Sequence, residues 1–435
     1  MNILHISNTD LIGGRFSGYY MQHSLDSSFN VEMAVWDKKS QSSHVKLIPP
    51  GNPVLRFLAF QIMKLGFRLG LDGLTGSGSF LLPSCDYFKQ ADVVHLHLIH
   101  NSTNFSMLSL PMLSRLKPVI WTIHDSWAMT GGCVYSFECD RWMTGCSLRC
   151  PYPGRRSLFQ HYVPYLHWRL KKWILKRTNV TLIVASQLMQ DRVERSPLLR
   201  HLPCHQIPFG IDLEVFKPRS KSECRRKLGI ALDSKVIAFR DVGLESDRFK
   251  GLRWLMEALK IYEPQEPTTL LIFQDGKGFK VLAPKYTVIR TGWIDGEDIA
   301  VAVSAADVFV MPSIQETFGL MAVEAMACGT PVIVFEGTSL PDVIKAPLGG
   351  IAVPAKDSVA LAGAIKLLLD DEELRIELGM QARQIAEREF AFPRYVQRHI
   401  NLYEEVIERH HNGYRGFQAA NRCKAHGLQS IQPSK

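Results

Sequence analysis

Short apolar runs alternate with helical patterns along almost all of this 435-residue chain, and that alternation limits what it can fold into. Strand-like runs fall at 2–6, 31–35, 93–98, 119–123 and 181–185. A second series falls at 236–239, 269–273, 287–290, 308–311 and 331–335. Strands separated by crossover helices pair in parallel, and parallel sheets are covered on both faces. The length suits two domains of ordinary size. The expected fold is therefore α/β, with two Rossmann-like, doubly wound parallel-sheet domains. The break is expected at Ile207-Pro208-Phe209-Gly210-Ile211-Asp212, which with Pro218 supplies prolines and a glycine between the series. The expected boundaries are 1–210 for the first domain and 211–390 for the second. A helix at 391–410 is expected to pack back on the first domain, and a basic tail at 411–435 reads as disordered. In open α/β sheets ligands bind beyond the carboxyl ends of strands, so two such domains facing each other would form a cleft.

Composition narrows the classes. The chain is 46% hydrophobic and 21% charged, as soluble globular proteins are. No apolar run reaches the roughly 18 residues that span a bilayer. The first residues, Met1-Asn2-Ile3-Leu4-His5, read as a strand rather than a signal peptide, and a cytoplasmic location is expected. A formal charge of +9 and a pI near 9.0 suit phosphorylated ligands or anionic lipid heads. No nucleic-acid-binding pattern accompanies that charge, so nucleic acid is not an expected partner.

The segment Ser313-Ile314-Gln315-Glu316-Thr317-Phe318-Gly319-Leu320-Met321-Ala322-Val323-Glu324 carries most of the chemistry. It follows a strand-like run and enters a helix-like one. Glu316 and Glu324 flank the helix start, with seven residues between them. Backbone N–H groups at a helix start favour an anion. Carboxylates would repel that anion, so their partners are neutral hydroxyls. Phosphate on the backbone and hydroxyls on the carboxylates describe a nucleoside-diphosphate sugar.

Cations lie where its diphosphate would sit. Arg240 ends one strand, and Arg248-Phe249-Lys250-Gly251 opens the next helix. Positioned Lys or Arg stabilises the charge that develops on a leaving diphosphate. A solvated charge cluster is the alternative. Gly13-Gly14, soon after the first strand, would let backbone approach a phosphate or sugar; a tight turn would use the same residues.

These residues together resemble the retaining nucleotide-sugar glycosyltransferases of glycosyltransferase family 4, which have the GT-B fold. The resemblance runs over roughly residues 1 to 410 and rests on four stretches: Gly13-Gly14, the 207–216 junction, the 248–251 region, and Glu316 to Glu324 with Ala325-Met326-Ala327-Cys328-Gly329-Thr330-Pro331. It implies that Glu324 binds the donor ribose and Glu316 lies by the transferred sugar. It implies backbone contacts from Gly319 and Leu320, and a diphosphate held by Lys250 with Arg248 or Arg240. The first domain would add Gly14, and His124 would contact the sugar from Trp121-Thr122-Ile123-His124-Asp125-Ser126-Trp127. Asp125 would orient His124 or accept a proton from the acceptor. A histidine packed on backbone is the alternative for His124. The resemblance implies no enzyme nucleophile and no metal for the chemistry. Where the family often has Gly-Arg, this chain has Arg240-Asp241-Val242-Gly243, and Phe209 stands where the family often has Asn. A sugar-nucleotide epimerase or phosphorylase on the same fold, and a non-catalytic scaffold, are the competing readings.

Four of the nine cysteines, Cys133, Cys139, Cys146 and Cys150, fall within eighteen residues, in a loop expected at 131–153. With the preceding His-Asp, Trp and Gly-Gly-Cys, this run resembles a subgroup that assembles colanic acid and other exopolysaccharides. Four thiolates can hold a structural zinc, although none of the gaps is the usual two residues; free thiols or disulfides are the other states. The implied acceptor is a lipid-linked saccharide. Two stretches suit a membrane interface at the inner face of the plasma membrane. One is 54–68, where Arg56, Lys64 and Arg68 fall near one helical face, and the other is 155–177. Helices packed on a sheet would show the same pattern.

Overall fold

A computed structural model describes residues 1–11, 20–23, 29–100, 103–136, 138–147, 150, 163–241, 247–274, 279, 282 and 284–427. The side chains of 22, 23, 247, 248 and 413–427 lie outside that description. Thirteen strands are described: β1 (Asn2–Thr9), β2 (Asn30–Asp37), β3 (Val45–Leu47), β4 (Val93–Leu96), β5 (Val119–Thr122), β6 (Val180–Val184), β7 (Cys204–Gln206), β8 (Lys235–Arg240), β9 (Thr268–Phe273), β10 (Thr287–Arg290), β11 (Val308–Met311), β12 (Val332–Phe335) and β13 (Gly350–Val353). The helices are α1 (Pro53–Arg68), α2 (Asp86–Gln90), α3 (Leu110–Leu116), α4 (Val163–Leu175), α5 (Gln187–Arg195), α6 (Lys221–Leu228), α7 (Asp247–Lys250), α8 (Leu252–Ile261), α9 (Glu297–Ala305), α10 (Leu320–Ala327), α11 (Leu340–Val343), α12 (Ser358–Asp370), α13 (Glu372–Glu389) and α14 (Phe392–Gly427).

The strands form two sheets, ordered β3-β2-β1-β4-β5-β6-β7 and β10-β9-β8-β11-β12-β13. From β3 to β6, and throughout the second sheet, neighbours pair in parallel. Central strands such as β4, β5 and β12 are buried along their whole length, as strands covered on both faces must be. In each sheet the chain winds outward one way, then returns to the centre and winds the other way. The reversals lie between β1 and β4, and between β8 and β11.

The chain divides into two compact units. Unit 1 comprises 1–183, 193–205 and 396–435; unit 2 comprises 184–192 and 206–395. The division at 205/206 lies close to the expected 210/211, but residues 184–192 group with unit 2 and the C-terminal stretch returns to unit 1 from 396 rather than 391. The expected helix does not stop at 410: α14 runs on to Gly427, through most of the tail that reads as disordered. Extending a nucleated helix adds one hydrogen bond per residue fixed, and Gln418, Ala419, Ala420, Arg422, Lys424 and Ala425 are good helix formers. Residues 428–435 lie outside the described residues.

The membrane-facing pattern read at 54–68 also changes in detail. α1 buries Ala59, Met63 and Gly66 and leaves Val54, Leu55, Phe57, Leu58, Ile62 and Leu65 exposed. Arg56 does not join Lys64 and Arg68 at its edge. It turns inward, where its Nη1 donates to the Ile48 carbonyl at 3.1 Å and its guanidinium lies 3.7 Å from the Trp36 ring centroid. The part of the second stretch that is described, α4, buries Trp168, Ile174 and Leu175 and exposes Leu166 and Trp173. Among the described residues no helix is long and apolar enough to cross a membrane.

In unit 2 one buried carboxylate ties the strand pair at the reversal. Asp307, just before β11, accepts from the Val236 N–H of β8 at 2.7 Å, from Arg225 at 2.8 Å and from Lys221 at 2.8 Å. Burial pushes its carboxyl up, but the two cations and the Val236 N–H outweigh burial and hold it below the usual carboxylate range. Removing the carboxylate strands a buried Arg225. Asp307→Ala is expected to lower the unfolding free energy of unit 2 by about 3–5 kcal/mol in urea titrations; a loss within about 0.5 kcal/mol, the scale of a surface change, would contradict the assignment.

Candidate functional site

The reversal in the second sheet determines what faces outward at the strand ends. β8 ends at Arg240 and its neighbour β11 at Met311. The segment after β11 is clamped to the one after β8. The N–H groups of Ile314 and Gln315 donate to the Phe249 carbonyl at 2.8 and 3.2 Å. Gly251 has φ 69°, and a Cβ there would strike the Pro312 carbonyl oxygen. The clamp brings Lys250 Nζ within 2.8 Å of Glu316 Oε2. The backbone also fixes Glu316: its Oε1 accepts from the Thr317 N–H at 3.2 Å, and its carbonyl accepts from Ser339 Oγ at 3.1 Å.

Gly319 opens α10 in a left-handed conformation, φ 95° and ψ 61°, with Leu340 where a Cβ would point. The first N–H groups of α10 have no intrahelical acceptor and mark its positive end. Arg240 reaches the same turn, with Nη1 3.5 Å from Met321 Sδ. Its Nε donates to Gln274 Oε1 at 3.3 Å, and its guanidinium lies 4.7 Å from the Trp293 ring centroid. Trp293 is 70% exposed. Glu324, within α10, is fully buried at 0%. A guanidinium and a helix start suit an anion, and two carboxylates close by in sequence suit hydroxyls.

Phe209, which departs from the resemblance, has a packing role. Its ring meets Phe318 edge-on at 5.1 Å, and Phe390 meets Phe318 at 5.7 Å. Three aromatic rings thus support the turn between Glu316 and Gly319.

In unit 1 the ends of β4 and β5 carry imidazoles. His124 Nε2 lies 3.2 Å from His97 Nδ1, and His97 Nε2 lies 2.9 Å from His5 Nδ1. His95 bonds Tyr403 Oη at 2.8 Å and Thr122 Oγ1 at 2.7 Å. Burial pushes His5 down to about 3 and His124 down to about 4, and holds His95 and His97 well below the usual range. Neutral rings donate from one nitrogen and accept at the other. His5 Nε2 is buried with no hydrogen-bond partner among the described residues. An N–H stranded there would be the costlier state, so the proton belongs on Nδ1. His5 then donates to His97 and His97 to His124, which leaves His124 with its own proton on Nδ1. The ring that orients His124 through Nε2 is His97. The Asp125 carboxylate meets His100 Nε2 at 3.1 Å and accepts from the Trp127 N–H at 2.7 Å, capping a 3₁₀ turn over Ser126–Met129.

The structure therefore brings Lys250 onto Glu316 and Arg240 onto the first turn of α10. Gly14 lies outside the described residues, as does the side chain of Arg248. Trp293 and the histidines His5, His95, His97 and His100 escape the sequence reading. The run His95-Leu96-His97-Leu98-Ile99-His100 at a strand's carboxyl end is the signal for three of them. The four loop cysteines line one small cavity.

The histidine network sets a pH dependence. Unfolded imidazoles titrate near 6.5, whereas the half-buried ring of His124, held among buried imidazoles, titrates at about 4. Below 6.5 the unfolded chain binds more protons, so stability falls as pH drops through that window. Urea midpoints measured at about pH 7.5, 6 and 5 are expected to decline, and His97→Phe is expected to flatten the decline. An unchanged midpoint down to about pH 5 would contradict neutral burial.

Residues 241–371 match the family model described as glycosyl transferases group 1. A D-inositol 3-phosphate glycosyltransferase of Corynebacterium kroppenstedtii is 34% identical over 218 residues, 46% of this chain and 48% of that protein. The matched stretch thus spans about half the length of that curated relative. Among solved structures, sucrose-phosphate synthase from Thermosynechococcus elongatus aligns with a TM-score of 0.64 at 22% identity, covering 94% of this chain and all of the other. HepE of Anabaena, solved in complex with UDP and glucose, aligns with a TM-score of 0.63 at 17% identity, covering 93% of this chain and all of the other. The chain is accordingly a two-sheet α/β protein of the GT-B kind, and its second unit matches the group 1 glycosyl transferases over 241–371.

Proposed function

We propose that the chain is a retaining glycosyltransferase that moves a sugar from a nucleoside-diphosphate donor to a growing, lipid-linked surface polysaccharide or oligosaccharide. The arrangement at the start of α10 carries this reading. Arg240 reaches the Met321 sulfur in the first turn of that helix, Lys250 is clamped beside Glu316, and Glu324 lies fully buried on the same helix. In this account the α10 N–H groups and Arg240 hold the diphosphate, and Lys250 shares its charge between Glu316 and the leaving phosphate. Those fixed donors favour the transition state, in which the glycosidic bond to the diphosphate breaks and negative charge grows. Glu324 accepts from the ribose hydroxyls and Glu316 from those of the sugar. Trp293, exposed and stacked on Arg240, offers a face for the base. His124 donates from Nδ1 to a sugar oxygen, and Asp125 secures the turn that follows it.

The match over 241–371, the name of the corynebacterial relative, and the UDP and glucose in the HepE complex support a nucleotide-sugar donor. The exopolysaccharide assignment rests on the 124–133 run and the four cysteines. The donor test is a thermal-shift and donor-hydrolysis panel of UDP-, GDP- and ADP-sugars on the wild type and Glu324→Ala. A donor at about 100 times its dissociation constant is expected to stabilise the wild type by about 2.7 kcal/mol, and the variant far less. No response to any donor would favour the scaffold, and a stereoisomer of the donor sugar as product would favour the epimerase.

We also propose that α1 rests on an anionic bilayer at the inner face of the plasma membrane, which is where a lipid-linked acceptor would be met. Its outward face carries Leu55, Phe57 and Leu58, with Phe57 60% exposed, and the helix has Lys64 and Arg68 but no acidic residue. An apolar face edged by cations suits the headgroup boundary of anionic lipid. Flotation with vesicles containing phosphatidylserine or phosphatidylglycerol is expected to carry the wild type at low salt. The double change Phe57→Glu with Leu58→Glu is expected to leave the fold intact and abolish flotation. Equal flotation of both proteins would contradict the assignment of α1.

A further inference from the structure

We propose that Lys171 is a positioning residue for His124 and Asp125, which rests on their proposed places beside the transferred sugar. Lys171 lies on α4 and is 0% exposed. Its ammonium donates to the carbonyls of Trp127 at 2.5 Å and Thr130 at 3.1 Å, and it lies 3.4 Å from the Trp127 ring centroid. A buried ammonium is costly unless its N–H groups find acceptors. Its acceptors here are carbonyls and an aromatic face, so a buried charge is directed at one short backbone segment. That segment is the 3₁₀ turn Ser126–Met129 with its cap Thr130, which directly follows His124 and Asp125.

The turn is held at both ends. At its start Asp125 accepts from the Trp127 N–H at 2.7 Å. The closing carbonyls of a helical turn lack intrahelical donors and mark its negative end, and there Lys171 binds. A Cβ on Gly131 would strike the Pro164 carbonyl oxygen, so the start of α4 is pressed against the same segment. Burial pushes the Lys171 ammonium down to about 7, while Asp72 and Asp125 hold it up. The neutral amine keeps two N–H groups, one for each carbonyl, so the clamp holds on either side of that pH.

Trp127 carries the constraint back to Asp125. Its ring is 1% exposed, and its indole N–H is buried with no hydrogen-bond partner among the described residues. Packing fixes the ring instead. Lys171 lies over it, and a Cβ on Gly73 would strike its edge. His100 stacks on it, with centroids 4.7 Å and planes 7° apart. His100 Nε2 in turn lies 3.1 Å from Asp125 Oδ2. A path of carbonyl, ring, imidazole and carboxylate thus runs from Lys171 to Asp125. His97 orients the His124 ring, and Lys171 fixes the backbone that follows it.

The test compares Lys171→Met, which keeps an unbranched chain and loses its donors, with Lys171→Gln, which keeps N–H donors without the charge. Both are read in the full chain by the carbon–proton NMR signals of the imidazoles, with urea midpoints to confirm folding. The His100 and His124 signals are expected to move in Lys171→Met and to return toward wild type in Lys171→Gln. Those of His44 and His205, outside the cluster, are expected to stay. With whichever UDP-, GDP- or ADP-sugar the wild type hydrolyses, Lys171→Met is expected to lose about 10- to 100-fold in kcat with KM within about 2-fold, because unit 2 holds the donor. Lys171→Gln is expected to fall between the two. Unmoved His100 and His124 signals in a folded Lys171→Met, or an equal loss of kcat in both variants, would overturn the proposal. The wild type supplies a measurement that stands if Lys171→Met does not fold. Below pH 7, where the ammonium holds its proton, a scalar coupling from Lys171 Nζ to the Trp127 carbonyl carbon is expected, and its absence would overturn the clamp. If the wild type hydrolyses no donor, the glycosyltransferase reading fails, and the imidazole signals alone decide the role of Lys171.

Discussion

The reversal of strand order between β8 and β11 is the constraint on which the site in unit 2 depends. Two neighbouring parallel strands whose following crossovers run to opposite sides leave a crevice beyond their carboxyl ends. Whatever follows β8 and β11 then meets across that crevice. In this chain those segments are Arg240, the 247–251 turn and Glu316 to Leu320. The pairing of Lys250 with Glu316 and the approach of Arg240 to Met321 follow from topology before any ligand is considered. At the opposite end of the same strand pair, Asp307 ties β8 to β11 and to α6. One strand pair is thus anchored at its entry by a buried ion network and clamped at its exit by the Phe249 carbonyl, which accepts from the Ile314 and Gln315 N–H groups.

The two units bury ionisable groups by opposite routes. Asp307 stays charged because Arg225, Lys221 and the Val236 N–H surround it. The imidazoles His5, His95 and His97 stay neutral because burial removes the water that would solvate a charged ring, and the imidazoles and hydroxyls around them do not stabilise a positive one. A chain of neutral rings also transmits direction. The nitrogen that carries the proton on His5 determines the one that carries it on His97, and in turn on His124. Buried His5 therefore reaches the outermost ring without touching it.

Much of the fold is legible in the residues because parallel strands are apolar throughout. Runs such as Val236-Ile237-Ala238-Phe239 admit few other readings. The strands the sequence hides are edge or near-edge ones. β3 and β7 have three residues each, and β13 begins at Gly350, where composition suggests a turn. The site is legible where local chemistry defines it, as at Glu316, Gly319 and Glu324. It is less so where distant segments meet. Trp293 becomes notable through Arg240, and Arg56 reads as a membrane cation until Trp36 and Ile48 take it inward. The histidine chain joins β1 to the segments after β4 and β5, so single-segment reading misses it even though His95, His97 and His100 stand close together in sequence.

The central claim is that unit 2 holds a nucleoside-diphosphate sugar at the start of α10, and a crystal structure with a UDP-sugar or its hydrolysis-resistant analogue tests it most directly. The account predicts diphosphate density against the N–H groups of Gly319 to Met321 with Arg240 turned onto it, and ribose hydroxyls on Glu324. Nucleotide density elsewhere, or a ribose turned away from Glu324, would contradict it.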